Sequence, residues 1–349
     1  MIYGELGRTG LKPSVLGIGA GGPSRLGLTY GRSRTSAQAL LRAAFERGVN
    51  FFDTAPAYGT EDIVGSALRD CRAKVILSTK ATLGPYFGPL DGSRFASKLS
   101  ARIGEDTSFV LSGPALESRA NKSLDRLKTD YIDIFHLHTV MPGQCGAVLD
   151  RLLPTLSRLK ESGKVRFIGI TEAFGRDQTH ETLARAAATN VFDCIMIGFN
   201  CLHQSGAPIA AEASRRGIGV IGMHVARGLC SQKSLQRELD KLVTRELFSE
   251  THGNAETIMR LLNKYGVSTL AEAALRFARY ELSCSVVLTG TGDLQHLEAN
   301  IAACETGPLP DALSAEIRRL FRIVAPASAQ DSVTDHVVGS ALRRPLNHD

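Results

Sequence analysis

Apolar residues gather in eight short runs, near positions 14–20, 49–53, 74–79, 130–138, 165–171, 193–200, 218–223 and 284–289, and most intervals between them carry a helical repeat. Between Thr35 and Gly48, Leu40, Leu41, Ala44 and Phe45 fall on one helical face, behind a Thr-Ser start and before a glycine stop. Leu152, Leu153, Leu156 and Leu159 form a second stripe, after which Ser162-Gly163-Lys164 returns the chain to the run at 165–171. Alternation of this kind points to parallel strands joined by crossover helices. Eight strand–helix units predict an α/β fold, the parallel (β/α)8 TIM barrel, with functional residues where the carboxyl ends of the strands meet the following loops.

Four polar residues stand at those places. Asp53 ends the second run, Tyr58 lies in the loop after it, Lys80 ends the third run and His138 the fourth. A phenol with its ordinary pKa of about 10 is a poor acid or base at neutral pH unless its surroundings lower that value. The Lys80 ammonium could supply the charge that does so, and Asp53 could hold Lys80 protonated in a low-dielectric pocket. His138 would orient a carbonyl or share its proton. Taken singly, Asp53, Tyr58 and Lys80 read as a turn cap, a loop aromatic and a solvated charge; together with His138, in order at consecutive strand ends, they read as a catalytic site.

Composition narrows the setting. A chain of 349 residues with 43% hydrophobic content can bury one barrel or two ordinary domains. No apolar run approaches the roughly 18 residues of a membrane-spanning helix, and Met1-Ile2-Tyr3-Gly4-Glu5 lacks the basic-then-apolar layout of a signal peptide, so the expected location is cytoplasmic. The seven cysteines are scattered, with no Cys-x-x-Cys spacing, which indicates neither a disulfide framework nor a thiolate metal site. The net charge of +6 comes without a basic run, so nucleic acid is not an expected partner. Oligomeric state is left open.

Two motifs compete with this reading. His136 and His138 share one face of a strand, and a His-x-His pair in a barrel can hold a catalytic metal, the basis of an alternative metal-dependent hydrolase. Such a site needs further ligands on other strand ends, and the sequence supplies no obvious set. Gly17-Ile18-Gly19-Ala20-Gly21-Gly22 satisfies a dinucleotide-binding G-x-G-x-x-G pattern, but Pro23 follows and the first convincing helix waits until about Thr35. The glycines instead fit a tight first loop beside the barrel mouth.

Asp53-Thr54-Ala55-x-x-Tyr58-Gly59, Ser78-Thr79-Lys80, Ser123-Leu124-x-Arg126-Leu127-x-x-Asp130-Tyr131-Ile132-Asp133 and Leu137-His138 resemble, in that order, the aldo-keto reductase family. Leu6-Gly7-Arg8-Thr9-Gly10-Leu11 looks like the family's hairpin capping the barrel bottom. The late Gly290-Thr291-Gly292, with His296-Leu297-Glu298-Ala299-Asn300, extends the likeness. The resemblance implies one barrel domain over residues 1–325 with extended loops on the carboxyl face, followed by an extension over 326–349. It further implies interconversion of a small carbonyl and an alcohol with NAD(P)(H), with Asp53, Tyr58, Lys80 and His138 as the catalytic set and Tyr58 as general acid.

In the same family the coenzyme lies across the barrel top. The resemblance assigns it here to Thr171, Glu172, Met196, Met223, Arg227, Gly228, Gly290, Thr291, Gly292, His296 and Asn300. Thr171-Glu172 stands where Ser-Asn is frequent, Met196 where Gln is frequent, Met223 where an aromatic often stacks, and Ala299 where glutamate is common. NADP(H) is favoured on family precedent, with His296 near the 2′-phosphate; NAD(H) is the alternative coenzyme. Substrate-facing loops are expected at about 20–34, 81–112, 139–148 and 228–254, with Tyr30, Tyr86 and Phe87 as candidate aromatics. A non-catalytic nucleotide-sensing subunit is the second alternative.

Overall fold

The computed structural model describes residues 1–84, 110–244, 248 and 254–322. Its strands are β1 (Leu16–Gly19), β2 (Phe51–Asp53), β3 (Ile76–Thr82), β4 (Ile132–Val140), β5 (Val165–Glu172), β6 (Cys194–Gly198), β7 (Gly219–Met223) and β8 (Val286–Thr289). They pair in sequence order into a closed barrel, and β1 meets β8 in parallel register, Leu16 beside Val287. Helices follow the strands throughout, from Arg34–Glu46 after β1 to Leu294–Glu305 after β8. The predicted (β/α)8 barrel is the observed one.

Strand alternation divides the apolar residues into two cores. Phe52, Leu77, Phe135, Leu137, Ile168, Ile195 and Val220 join the large core shared with the helices. Phe51, Ile76, Ile134, Cys194, Met196, Ile221, Val286 and Leu288 pack inside the barrel with Leu6 and Leu11. Those two leucines come from the N-terminal hairpin, in which Tyr3 bridges Ser14 antiparallel and the Leu6 amide donates to the Leu11 carbonyl at 3.0 Å. The Arg8 amide donates to the Gly217 carbonyl at 2.7 Å, two residues before β7 begins. The hairpin therefore plugs the amino end of the barrel, leaving the carboxyl end for chemistry.

Charged residues of the recurring sequence motifs brace the outside of this sheet. Asp133 accepts from the Leu77 amide at 3.0 Å and pairs with Arg72 at 2.8 Å and Arg166 at 2.7 Å, so one buried carboxylate ties β3, β4 and β5. Glu61 accepts from Thr79 Oγ1 at 2.7 Å and from Arg126 Nε at 2.5 Å, fixing helices Glu61–Leu68 and Gly113–Leu127 to β3. Two expectations shift. β3 continues two residues past Lys80, through Thr82 beside His138, and β4 two residues past His138, through Val140 beside Glu172 of β5. The segment between β7 and β8 carries two extra helices, Gln232–Thr244 and Ala255–Lys264. The extension at 326–349 and the aromatics Tyr86 and Phe87 lie outside the described residues.

Gly65 marks a close contact between helices Glu61–Leu68 and Gly113–Leu127: a Cβ there would meet the Leu127 carbonyl oxygen at 2.2 Å and its Cα at 2.6 Å. Backbone cannot yield as a side chain does, so Gly65→Ala should lower stability by about 1–3 kcal/mol. Urea denaturation should show this as a lower midpoint with an unchanged slope.

Candidate active site

Asp53 closes β2, its backbone in register with Gly19 on one side and Ser78 on the other. From the next strand Lys80 reaches back, and its Nζ lies 2.5 Å from both Asp53 oxygens and 2.8 Å from the Thr54 carbonyl. Ser78 Oγ donates to Asp53 Oδ1 at 2.8 Å. Lys80 is 1% exposed and Asp53 3%, so each charge is tolerated through the other. Burial lowers the Lys80 pKa and raises that of Asp53, while their mutual attraction opposes both shifts.

Tyr58 ends the turn Pro56–Tyr58, where Pro56 presets the first position and Gly59 takes a left-handed φ of 65°. Its ring lies 5.1 Å from Lys80 Nζ, and its hydroxyl is 3.4 Å from His138 Nε2, with the two rings edge to face at 5.8 Å. Here the expected electrostatics are corrected. The phenol pKa is pushed up, first by loss of hydration and then by the negative charge of Asp53, which disfavours a phenolate beside it. Tyr58 consequently keeps its proton until an acceptor arrives.

His138 is held well below the ordinary imidazole range by burial, then by Lys80 and His224, and its Nδ1 has no hydrogen-bond partner among the described residues. It is a neutral imidazole whose Nε2 faces the phenol. His136 shares the inward face, one pair deeper, beside Lys80 and Gly169 in register. A Cβ on Gly169 would stand 2.1 Å from the His136 ring, so the glycine makes room for it. Burial first, then Lys80 and His138, keep His136 neutral as well. Among the described residues no three His, Cys, Asp or Glu side chains gather as metal ligands.

The residues assigned to coenzyme are spread more unevenly. Thr171 accepts from the Thr139 amide at 2.8 Å, Met196 is buried in the barrel interior and Met223 packs against that core. Glu172 turns the other way: Oε2 lies 2.8 Å from His180 Nδ1 and Oε1 accepts from the Gly198 amide at 2.8 Å. His180 Nε2 continues to Ser205 Oγ at 3.0 Å, and that hydroxyl donates to the Gln178 carbonyl at 3.1 Å. Both Glu172 oxygens are thus engaged in tying β5 to the loop after β6. Arg227 is exposed, Gly228 takes a φ of 77°, and Asn300 Nδ2 donates to Thr289 Oγ1 at 3.1 Å.

Thr291 is buried, Gly290 and His296 are exposed, and Asp293 caps the helix Leu294–Glu305 by accepting from the Gln295 and His296 amides. A Cβ on Gly290 would lie 3.1 Å from the Gly19 carbonyl oxygen and 3.6 Å from Ser24 Oγ, a buried hydroxyl without a hydrogen-bond partner among the described residues. The glycine thus packs closely on the loop after β1, and the unsatisfied hydroxyl beside it could serve a phosphate-bearing group. Ser24 was not picked out by sequence, nor were His180 and His224. His224, whose pKa is driven down to about 3 by burial, then Arg227 and His203, follows Met223 in the left-handed region at φ 61°.

A sequence profile described as Aldo/keto reductase family matches residues 16–322. The chain belongs to the aldo-keto reductase family. An L-galactose dehydrogenase of Arabidopsis thaliana is 36% identical over 173 residues, a match spanning 48% of this chain and 47% of that one. The uncharacterized oxidoreductase YqkF of Bacillus subtilis is 25% identical over 312 residues, 88% of this chain and 92% of its own. A holo-form aldo-keto reductase from Bacillus halodurans shares the fold, with a TM-score of 0.67 at 22% identity, covering 95% and 99% of the two chains. The family and its oxidoreductase relatives support oxidoreduction between carbonyl and alcohol, and the solved structure supports the fold.

Removing the cation isolates the electrostatic claim. Lys80→Met should destabilise the protein by about 3–5 kcal/mol at neutral pH, because a buried carboxylate loses its partner. The folded-state pKa of Asp53, already raised, then rises further, so the folded state binds a proton that the unfolded state has released and stability falls as pH increases from the acidic side. Chemical denaturation of native and variant proteins at mildly acidic and neutral pH should show the deficit growing with pH.

Proposed function

We propose that the chain reduces a small carbonyl, or oxidises the corresponding alcohol, with a nicotinamide coenzyme and Tyr58 as the general acid or base. The observation that carries this reading is the contact of the Tyr58 hydroxyl with neutral His138, above a lysine clamped by Asp53. When bound, the reduced nicotinamide supplies a hydride to the carbonyl carbon. Tyr58 passes its proton to the carbonyl oxygen as negative charge develops there, and His138 holds that oxygen by its imidazole N–H. Lys80, fixed by three acceptors, stabilises the tyrosinate left behind and shares its charge with Asp53. In the oxidation direction the same phenolate takes up the alcohol proton.

Gly290, Thr291 and Gly292, with Ser24, Arg227, Gly228 and Asn300, would hold the coenzyme's phosphate and adenosine portions, and Thr171, Met196 and Met223 the nicotinamide end. Glu172 contributes by fixing the Gly198 amide, since its oxygens are already engaged. NADP(H) is the coenzyme we favour, on the exposed His296 and on Arg32, which pairs with Asp293 at 2.9 Å on the same turn. NAD(H) is the alternative, on the Asp293 carboxylate at that turn. The partial likeness to L-galactose dehydrogenase adds L-galactose to a test panel of aldehydes, ketones and sugars. A cytoplasmic setting belongs to the same proposal and is supported by seven free cysteines.

Tyr58→Phe should preserve the fold and coenzyme affinity while lowering turnover by about 10²–10⁴-fold, the usual contribution of a positioned acid. Near-native turnover in that variant would remove Tyr58 from the role, and tight coenzyme binding without turnover across the panel would favour a sensing subunit. Dialysis against a chelator should leave activity intact; loss restored by zinc or manganese would instead support a metal site at His136 and His138.

A further inference from the structure

The loop after β1 touches both the acid and the loop after β8. At its start the Ala20 amide donates to the Asp53 carbonyl at 2.7 Å, and Thr60 Oγ1 donates to the Ala20 carbonyl at 3.2 Å. Gly21 then lies so close under Tyr58 that a Cβ there would stand 2.6 Å from ring carbons Cδ2 and Cε2. Arg25 Nε donates to the Tyr58 carbonyl at 2.9 Å. Farther on, the Gly27 Cα lies 2.3 Å from where a Cβ on Gly292 would stand, and Arg32 pairs with Asp293 at 2.9 Å.

This path depends on unusual backbone. Arg25, Leu26 and Gly27 take φ values of 44°, 58° and 88° in succession, and only the last is a glycine. Non-glycine residues enter the left-handed region at a conformational cost and persist there when surrounding contacts over-determine them. The contacts here are Leu26, fully buried in the core, and the Arg25 bond to Tyr58.

We propose that Arg25 is a positioning residue for the reaction: by holding the Tyr58 carbonyl, it keeps the turn Pro56–Tyr58 seated on Gly21 and sets the distance of the phenol from His138. The β1 loop acts as a strap between the proton donor and the β8 loop, and Arg25 is its anchor on the donor side. The consequence for rate rests on the reading of Tyr58 as general acid; the effect on ring placement does not.

The test uses the full chain as Arg25→Ala, Arg25→Lys, Tyr58→Phe and the double variant Arg25→Ala/Tyr58→Phe. Each is compared by melting temperature, coenzyme titration, and turnover on the best substrate of the panel. Fluorine NMR of fluorotyrosine-labelled protein, with the Tyr58 resonance identified by its loss in Tyr58→Phe, reports ring placement without turnover. Arg25→Ala should shift that resonance and lower kcat by about 10–100-fold, the scale of a small misplacement, while coenzyme affinity stays within about threefold. Arg25→Lys should recover part of the loss, and on the Tyr58→Phe background Arg25→Ala should cost less than about twofold more, as for residues acting through one another. An unmoved resonance, or the same loss on both backgrounds, overturns the positioning role. A shifted resonance together with near-native turnover in Tyr58→Phe overturns the acid assignment and leaves the strap standing. Should Arg25→Ala fail to fold, the resonance and kcat of Arg25→Lys decide: both unchanged from native overturns the proposal.

Discussion

A lysine and an aspartate with almost no water around them constrain the rest of this molecule. Neither charge is tolerable alone inside the barrel, and the pair is satisfied only with Ser78 and the Thr54 carbonyl in place. That requirement fixes the relative height of β2 and β3, and hence where the turn carrying Tyr58 emerges. Burial first, and the Asp53 carboxylate second, make the Tyr58 phenol hold its proton tightly.

Around that pair, polar residues are sorted by strand alternation into two kinds of work. Inward side chains of β2, β3 and β4 include Asp53, Lys80 and His138 of the proposed catalytic set, whereas Asp133, Glu61 and Arg126 lie on the helix side and join strands to helices. Part of the recurring motif after Ser123 is therefore scaffold. Glu172 follows the same division: it ends β5 facing His180, and the chain from Glu172 through His180 to Ser205 anchors the loop after β6.

The architecture was legible because a parallel barrel writes itself as buried apolar runs spaced by amphipathic helices. The four candidate residues were legible because strand ends are visible in that spacing. What escaped has physical reasons. Strand lengths beyond Lys80 and His138 depend on pairing of Thr82 with His138 and of Val140 with Glu172, distant partners that no local pattern encodes. The direction of the Tyr58 shift depends first on how deeply the ring is buried and then on the nearness of Asp53, neither of which a local pattern encodes. The role of Arg25 needs a left-handed backbone at a residue with no sequence mark for it, and a partner in a separate loop. Of the glycines at 17–22, Gly17 and Gly19 lie in β1 and only Gly21 and Gly22 fall in the loop expected of them, and the first α-helix begins at Arg34.

Barrel closure has a consequence for how the chain acquires this structure. β1 cannot complete its pairing until Leu16 meets Val287, so the last seam joins residues separated by most of the chain. Such long-range closure carries a large loop entropy and slows folding. During synthesis β1 to β4, with Lys80 and Asp53 among them, emerge well before β8 exists to shut the sheet. In that interval β1 presents an open edge, and the ion pair faces water that would screen it. The nascent chain is therefore at its most vulnerable to edge-to-edge association just before its final strand arrives.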